Sequence, residues 1–190
     1  MHVLEAIEGR SSAKKFNDQD VPASMVETLL RCAARAPDHG LLAPWRFVVL
    51  LGEGREVFAA ALESALRRRH PEADAETVSR ERSKAFRSPV LIVVAATIAS
   101  HPKVPGVEQL LAVGAAVENL LLAARAAGLG TMWKTGGAAY DSVVKTALGL
   151  VESDQIVGFI HVGWATEMKP VRSADCTPLT RWVTAAGRET

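Results

Sequence analysis

The feature that most constrains the fold is residues 107–127, a long and almost wholly apolar segment of helical length. A helix that is apolar nearly all round is buried on all sides. A chain of 190 residues has much surface and little interior, so a single copy cannot easily bury such a helix. An interface with a second copy of the chain would bury it, and the segment therefore predicts a homodimer.

The same segment does not read as a membrane span, because Glu118, Asn119 and Arg125 interrupt it. The N-terminus carries acidic residues where a signal peptide needs an apolar core. A formal net charge of +1 gives no overall attraction to nucleic acid or to an anionic membrane. The basic runs at 67–70 and 80–87 lack interleaved aromatics and read as solvated helix faces. We expect a cytoplasmic protein that acts on small molecules.

Helices and strands are predicted throughout the chain, and nothing marks a linker, so residues 1–190 are expected to form one domain. The polar helix at 74–87 has little to bury and is expected to form an exposed lid. Apolar periodicity, turn residues and prolines predict helices at 2–8, 22–35, 55–69, 74–87, 107–127 and 140–148, and strands at 45–51, 89–96, 131–134 and 156–164.

Metal and hydrolytic chemistry find little support in the sequence. The five histidines include no pair at i and i+4, and the two cysteines show no ligand spacing, so no metal site is predicted. Asp38 and His39 are adjacent, and adjacent side chains rarely point at a common atom. A turn at a helix end is the preferred interpretation, and a cofactor-free hydrolase built on these two residues stays open.

A candidate phosphate site follows the first helix. Residues 10–16, RSSAKKF, collect cations and hydroxyls where the backbone must turn. A guanidinium and short hydroxyl donors are what a phosphate needs, although a solvated basic loop would look the same. No P-loop is present, and Gly128-Leu129-Gly130 follows a helix and precedes a strand, the reverse of the dinucleotide fingerprint.

Taken together, these segments resemble the FMN-dependent nitroreductase family, most closely a subgroup of small NAD(P)H nitroreductases. The resemblance covers nearly the whole chain and depends on the shared order and spacing of short motifs. These are RSSAKKF (10–16), RAPDH (35–39), PWRF (44–47), HPKVP (101–105), GLGTMWK (128–134) and IVGF (156–159).

The resemblance implies an α+β fold, a nitroreductase-like sandwich with a central mixed β-sheet flanked by helices. It implies an obligate homodimer with FMN at the subunit interface. It also implies that NAD(P)H serves as co-substrate for the reduction of nitroaromatic, quinone or similar electron-poor acceptors, by ping-pong hydride transfer. The flavin carries the chemistry, so no catalytic side chain is expected.

The resemblance also assigns cofactor contacts. Arg10, Ser11 and Ser12 correspond to the loop that holds the flavin phosphate and ribityl chain, and Lys14 to a cation near the pyrimidine edge. Arg35 and His39 correspond to positions that reach the FMN bound mainly by the other subunit. Residues 123–128 fall where NAD(P)H binds in the subgroup, although helix packing explains them equally well. Further contacts are expected from Trp133, Lys134 and Thr135, whereas Trp45 is expected in the core.

One position departs from the family pattern. Many members have a Gln before Pro-Trp, where this chain has Ala43, so one hydrogen bond of order 1 kcal/mol to the flavin is expected to be missing. The C-terminal cation that holds the phosphate in many relatives would be Lys169 or Arg172. A non-catalytic flavin-binding protein, or another reduction or flavin-modifying reaction on the same scaffold, stays open. The choice between NADH and NADPH is not determined.

Overall fold

The computed structural model describes residues 1–183. Nearly all the predicted elements are present within a few residues of their expected bounds. The predicted helix at 74–87 ends at Arg82 and continues as a short 3-10 helix, Ser83–Phe86. The helices are Val3–Gly9 (α1), Ala23–Ala33 (α2), Arg55–Arg69 (α3), Ala75–Arg82 (α4), Gly106–Ala126 (α5) and Ser142–Ala147 (α6). The strands are Ala13–Phe16 (β1), Trp45–Leu51 (β2), Val90–Ala96 (β3), Gly130–Lys134 (β4), Gln155–Gly163 (β5) and Ala165–Met168 (β6).

Four strands form the central sheet, in the order β2-β3-β5-β4. Helices flank the sheet, and the α+β class is confirmed. The ladders between described strands are all antiparallel, whereas a mixed sheet was expected. The local sequence cannot decide this, because helices cover both faces of the sheet. Every residue of β3 is therefore buried. Its sequence is a continuous apolar run, which is also typical of a parallel strand.

The two faces of β3 belong to two hydrophobic clusters, because successive side chains in a strand point to opposite sides. Val90, Ile92 and Val94 pack with residues of α2 and α5. Leu91 and Val93 lie on the opposite face, where the cluster includes residues of α3 and α6. One sheet therefore joins both halves of the core and holds β4 at its edge.

Helix α5 is only partly buried in one copy of the chain. Its inner face, which includes Val113, Val117 and Leu120, is fully buried against the core. On the outer face, Val107 is 61% exposed and Leu111 is 67% exposed. One copy of the chain thus does not bury the helix on all sides, as expected for a chain of this size, and an apolar stripe remains uncovered. By length and composition alone α5 could cross a membrane, a test that core helices of soluble proteins also pass.

The helix predicted as a lid packs on its neighbour. Val78 of α4 and Ala85 just beyond it are buried. Arg82 of the same segment forms ion pairs with Glu56 and Glu63 of α3. These contacts hold the segment against α3, and they explain how so polar a sequence forms an ordered layer.

The sequence did not predict the small sheet in which β1 pairs with β6. Each strand has four residues, and Lys14 and Lys15 of β1 are exposed, so no apolar alternation marks either strand. The pairing joins the two ends of the described chain and brings the segment after α1 beside the C-terminal segment. Just outside the ladder, the Lys169 N–H donates to the Ser12 carbonyl over 2.9 Å.

Candidate functional site

A cavity of about 760 Å³ lies between the α1–β1 loop and the C-terminal segment. The loop contributes Arg10, Ser11 and Ser12, and the C-terminal segment contributes Lys169 and Arg172. The hydrogen bond between Lys169 and Ser12 fixes the spacing of the two walls. Guanidinium groups, an ammonium group and serine hydroxyls form the donor set that a phosphate monoester requires. Both candidates for the C-terminal cation therefore line the predicted phosphate site.

Arg10 has a partner that a phosphate could replace. Its Nε lies 3.5 Å from Glu118 Oε1 of α5, and the two side chains are 33% and 47% exposed. An ion pair this exposed contributes at most about 1 kcal/mol. The guanidinium can thus exchange the carboxylate for a doubly charged phosphate, and the residues present fit a phosphorylated cofactor.

Arg125 adds a partly buried cation near this loop. Its Nη2 lies 3.1 Å from the position that a Cβ on Gly9 would occupy. Among buried side-chain nitrogen and oxygen atoms of the described residues, only Arg125 Nε and Asp38 Oδ1 have no hydrogen-bond partner. Sequence reasoning did not single out Arg125, because only the packing of α5 against α1 brings it near Gly9.

Lys14 lies in a second cavity, of about 440 Å³, together with Lys15, Arg87 and Lys134. Lys14 Nζ is 2.8 Å from Glu167 Oε1, and Lys15 Nζ is 3.4 Å from Oε2 of the same carboxylate. The hydrogen bond and charge of Lys14, followed by those of Lys15, hold the pKa of Glu167 below its usual value. One carboxylate thus offsets two lysines, and the cavity keeps an excess of positive charge.

Trp133, Lys134 and Thr135 lie at the end of β4, on the edge of the central sheet. All three are exposed. The indole of Trp133 is held by its Nε1–H, which donates to the Val157 carbonyl over 3.1 Å. A Cβ at position 158 would overlap the indole, so Gly158 allows this close approach. The edge therefore presents an aromatic ring, a cation and a hydroxyl in sequence.

The structure does not bring Arg35 and His39 to the Arg10 loop within one chain. Both are exposed, and His39 Nδ1 lies 2.6 Å from Glu108 Oε2. Glu108 and Glu118 are ten residues apart on α5, about 15 Å along the helix axis. His39 and Arg10 thus contact different parts of α5. Contact of Arg35 and His39 with an FMN held by another copy, which the resemblance implies, stays a prediction.

The hydrolase alternative fails on geometry. The Asp38 carboxylate accepts from the Ala43 N–H through Oδ2 at 2.6 Å, whereas His39 pairs with Glu108. The adjacent side chains have different partners, so they form no acid–base dyad.

Two other expectations concern packing. Trp45 packs against the core, as expected. At the end of α5, Ala124 is buried but residues 126–128 are exposed, so the segment proposed for NAD(P)H is accessible to a ligand. Contact with NAD(P)H itself stays a prediction.

Fold and site together define a class: an α+β protein with a phosphate-type cavity next to the edge of its sheet. The family model described as the nitroreductase family matches residues 7–164. A protein of Escherichia coli K12 named as an NAD(P)H nitroreductase, YdjA, is 35% identical and aligns over 97% of this chain and 99% of its own. A similarly named Haemophilus influenzae protein is 33% identical over 88% and 90% of the two chains.

Solved structures agree. The crystal structure of a nitroreductase-like family protein from Bacillus cereus has a TM-score of 0.84 and 26% identity, over 96% of each chain. The FMN and NADPH-dependent nitroreductase NfnB from Sphigopyxis sp. shares the fold, with a TM-score of 0.77 and 18% identity over 97% of this chain and 100% of its own. The chain belongs to the nitroreductase family. The resemblance noted in the sequence is confirmed, and with it the enzyme class, an oxidoreductase.

Proposed function

We propose that this chain is an FMN-dependent oxidoreductase that uses NAD(P)H to reduce nitroaromatic, quinone or similar electron-poor acceptors. The observation that carries the proposal is the cavity in which Arg10, two serines and the C-terminal cations meet beside Glu118. Relatives named as NAD(P)H nitroreductases and the 4-nitrobenzoate reductase of Nocardioides, 26% identical over 94% of this chain, support the same chemistry. We further propose that residues 1–190 form one cytoplasmic domain.

The binding roles follow from the donor sets. Arg10, Ser11 and Ser12, with Lys169 or Arg172, hold the phosphate, while Trp133, Lys134 and Thr135 line the ring system. When bound, FMN supplies a reversible hydride carrier. Lys14 and Lys134 hold positive charge in one cavity, which favours negative charge on a neighbouring ring. Trp133 excludes water from the reacting face of the flavin.

A ping-pong order follows if both substrates use the same face. NAD(P)H would leave before the electron acceptor enters, because both would lie against the same face of the flavin ring. No proton donor among the described side chains is assigned to the reaction. The measurement that tests this order is a set of initial-rate plots at several NADPH concentrations, in which parallel lines are expected and intersecting lines would contradict it.

Dimer formation is part of the proposal, because one copy leaves large apolar side chains uncovered. Monomeric proteins rarely expose contiguous apolar patches of this kind. The exposed groups occur on α1, on the outer face of α5 and in the C-terminal segment, and they include Val3, Leu4, Ile7, Val107, Leu111, Val171, Leu179 and Trp182. A second copy would cover α5 and deliver Arg35 and His39 to the Arg10 loop.

An absorption spectrum of the purified protein, with and without added FMN, tests the proposal directly. Bound-flavin bands that bleach anaerobically with NADPH or NADH are expected, and the faster nucleotide is the donor. Bound flavin that neither nucleotide reduces would favour a non-catalytic flavin-binding protein. A protein that takes up no FMN would overturn the proposal.

A further inference from the structure

The turn that carries His39 rests on the first turn of α5 and on the loop before that helix. His39 Nδ1 lies 2.6 Å from Oε2 of Glu108, which belongs to the first turn of α5. A Cβ added at Gly40 would lie 3.1 Å from Val104 Cγ2, so the backbone of the turn packs directly on that side chain. Gly40 has a φ of 77°, which lets the chain reverse there without strain. The His39 ring is therefore held at a fixed place beside α5.

Gln109 holds the loop before α5 in place. Its side chain is buried, and its amide donates to the Ala99 carbonyl over 2.9 Å and to the Val104 carbonyl over 3.2 Å. Its Oε1 accepts from the Ala99 N–H over 2.9 Å. A buried amide with all these partners makes the loop rigid. The support under the turn is thus built from buried contacts, whereas the His39 side chain itself is 60% exposed.

Glu108 determines which nitrogen of His39 carries a proton. A carboxylate is only an acceptor, so Nδ1 must be the donor in this pair. Nε2 is left for a ligand, and it can donate a hydrogen bond only when the ring takes up a second proton and becomes a cation. Glu108 would partly neutralise that cation, and water can hydrate it because the ring is exposed.

Other charged groups lie on the segments that meet at the turn. They are Arg35, Asp38, His101 and Lys103. Among residues 1–183, however, only Glu108 forms a hydrogen bond or an ion pair with the His39 ring. Glu108 is therefore the group that orients the ring and sets its proton.

The place of His39 beside α5 matters because α5 also carries Glu118, the partner of Arg10. When α5 packs antiparallel on its symmetry mate, positions equally far from the two-fold axis lie opposite each other. Gly114 is the small residue in the middle of the outer face, and a Cβ there would meet nothing within 4 Å. An axis at Gly114 sets position 108 of one copy at the level of position 120 of the other. That level is about 3 Å along the helix from Glu118.

We propose that Glu108 is a positioning residue, which holds His39 in the orientation that binds the phosphate of an FMN carried by the second copy. The inference rests on the proposed function, since it requires both FMN and the dimer. On binding, Nε2 takes up a proton from solvent and donates a hydrogen bond to a phosphate oxygen, while Nδ1 stays bound to Glu108. Arg10 meets the phosphate from one chain and His39 meets it from the other, so one anion joins the two copies.

The orientation and the proton are tested by ¹⁵N NMR of the imidazole, with His39→Gln to assign the resonances. At about pH 8, where an exposed imidazole is mainly neutral, the free protein should show His39 as the Nδ1–H tautomer. FMN should move the His39 Nε2 resonance upfield, because that nitrogen gains a proton. Riboflavin has the same ring and ribityl chain but no phosphate, and should leave the resonance in place. An Nε2–H tautomer in the free protein, no response to bound FMN, or the same response to both ligands would overturn the proposal.

Glu108→Gln keeps a hydrogen-bond acceptor at the position but removes its charge. We expect FMN affinity to fall about tenfold while riboflavin affinity is unchanged. Glu76→Gln is the matched control, because Glu76 is an exposed acidic residue in the first turn of α4, as Glu108 is in the first turn of α5. Unchanged FMN affinity in Glu108→Gln, or an equal loss in Glu76→Gln, would contradict the role of Glu108.

A double variant distinguishes positioning from a general structural role. If Glu108 acts only through His39, adding Glu108→Gln to His39→Ala should cause no further loss of FMN affinity, whereas independent effects would add. Additive losses would overturn the positioning role and leave the proposed function intact. A wild-type protein that binds neither FMN nor riboflavin would overturn the proposed function, and this proposal with it.

Discussion

At the scale of single residues, we expect the proposed cofactor binding to depend most on Arg10. It is the only cation of the phosphate-type cavity contributed by the α1–β1 loop, and its partner Glu118 is half-exposed. Phosphate binding would replace a weak surface ion pair by charge-assisted hydrogen bonds. Such a bond to a charged group contributes about 1.5–3 kcal/mol.

We therefore expect Arg10→Ala to weaken FMN binding by about 10- to 100-fold. Quenching of flavin fluorescence during titration measures the affinity. Arg31→Ala is the control, because Arg31 is exposed on α2 and contacts only Thr28. Glu118→Gln removes the competing carboxylate and should retain or improve binding. Full FMN affinity in Arg10→Ala would count against the phosphate assignment.

His161 makes stability depend on pH. Its pKa falls from 6.5 to about 4 on folding, chiefly because burial disfavours the charged ring. Below pH 6.5 His161 binds a proton in the unfolded chain, whereas in the folded protein the ring stays neutral down to about pH 4. The free energy of unfolding should therefore fall between pH 6.5 and pH 4, by about 3 kcal/mol from this group, and the contribution is constant outside that window.

Urea denaturation at pH 7, 5.5 and 4.5 measures this dependence. His161→Gln keeps a buried polar group at the site and should flatten the profile. His70→Gln changes an exposed histidine and should not. The carboxyl groups of Asp74, Glu167 and Asp175 also have lowered pKa values. These groups change the free energy of unfolding at lower pH than His161 does, so their effect is distinguishable from that of the histidine. Identical slopes in the wild type and His161→Gln would contradict the expectation.

At the scale of elements, the segment between α2 and β2 contains two residues with strained backbone conformations. Leu41 and Ala43 have positive φ values of 54° and 47°, which side chains other than glycine disfavour. The Asp38 carboxylate holds the turn through the Ala43 N–H. The sequence marked Ala43 only as a missing flavin contact, whereas the structure gives its backbone a part in the turn.

Ala43→Gly should raise the free energy of unfolding by up to about 1 kcal/mol, because glycine accepts a positive φ without strain. Thermal or urea denaturation measures the change. Ala60→Gly, at an exposed position inside α3, is the control and should lower stability by about 1 kcal/mol. Destabilisation by both glycines would show that the turn is not strained at Ala43.

At the scale of the whole molecule, we expect the proposed dimer to depend on the apolar outer face of α5. Leu111 lies in the middle of that face and is 67% exposed in one copy. Leu111→Glu should shift the protein from dimer to monomer in sedimentation velocity, because a buried unpaired carboxylate is costly. Circular dichroism should show the helices intact.

Val57→Glu is the matched control for this experiment. Val57 is an exposed apolar residue on α3, away from α5, and the charge there should leave the dimer unchanged. The monomeric variant should also lose FMN affinity, because Arg35 and His39 of the second copy would no longer reach the site. A Leu111→Glu protein that remains dimeric would exclude α5 as the interface.

The order of elements, the α+β class and the family could be predicted from the sequence, because apolar periodicity and short motifs are local properties of the chain. The contacts Arg10, Ser11, Ser12 and Trp133–Thr135 were assigned by motif as well, and their contact with FMN stays a prediction. The β1–β6 pairing was not predictable, since two four-residue strands without apolar alternation lie about 150 residues apart.

Strand direction was not predictable either, because a sheet covered on both faces hides the alternation that distinguishes antiparallel strands. The cavity between α3 and the end of β4, which Arg87 and His161 line, has no continuous sequence signature, although its Lys134 and Thr135 lie at a predicted motif. Its residues come from α3, the segment after α4, β4 and β5, and only packing brings them together. The sequence alone determined most of the helices and strands and the family to which the chain belongs. Tertiary structure decided which charges meet, because distance in space between side chains depends on packing and not on separation along the chain.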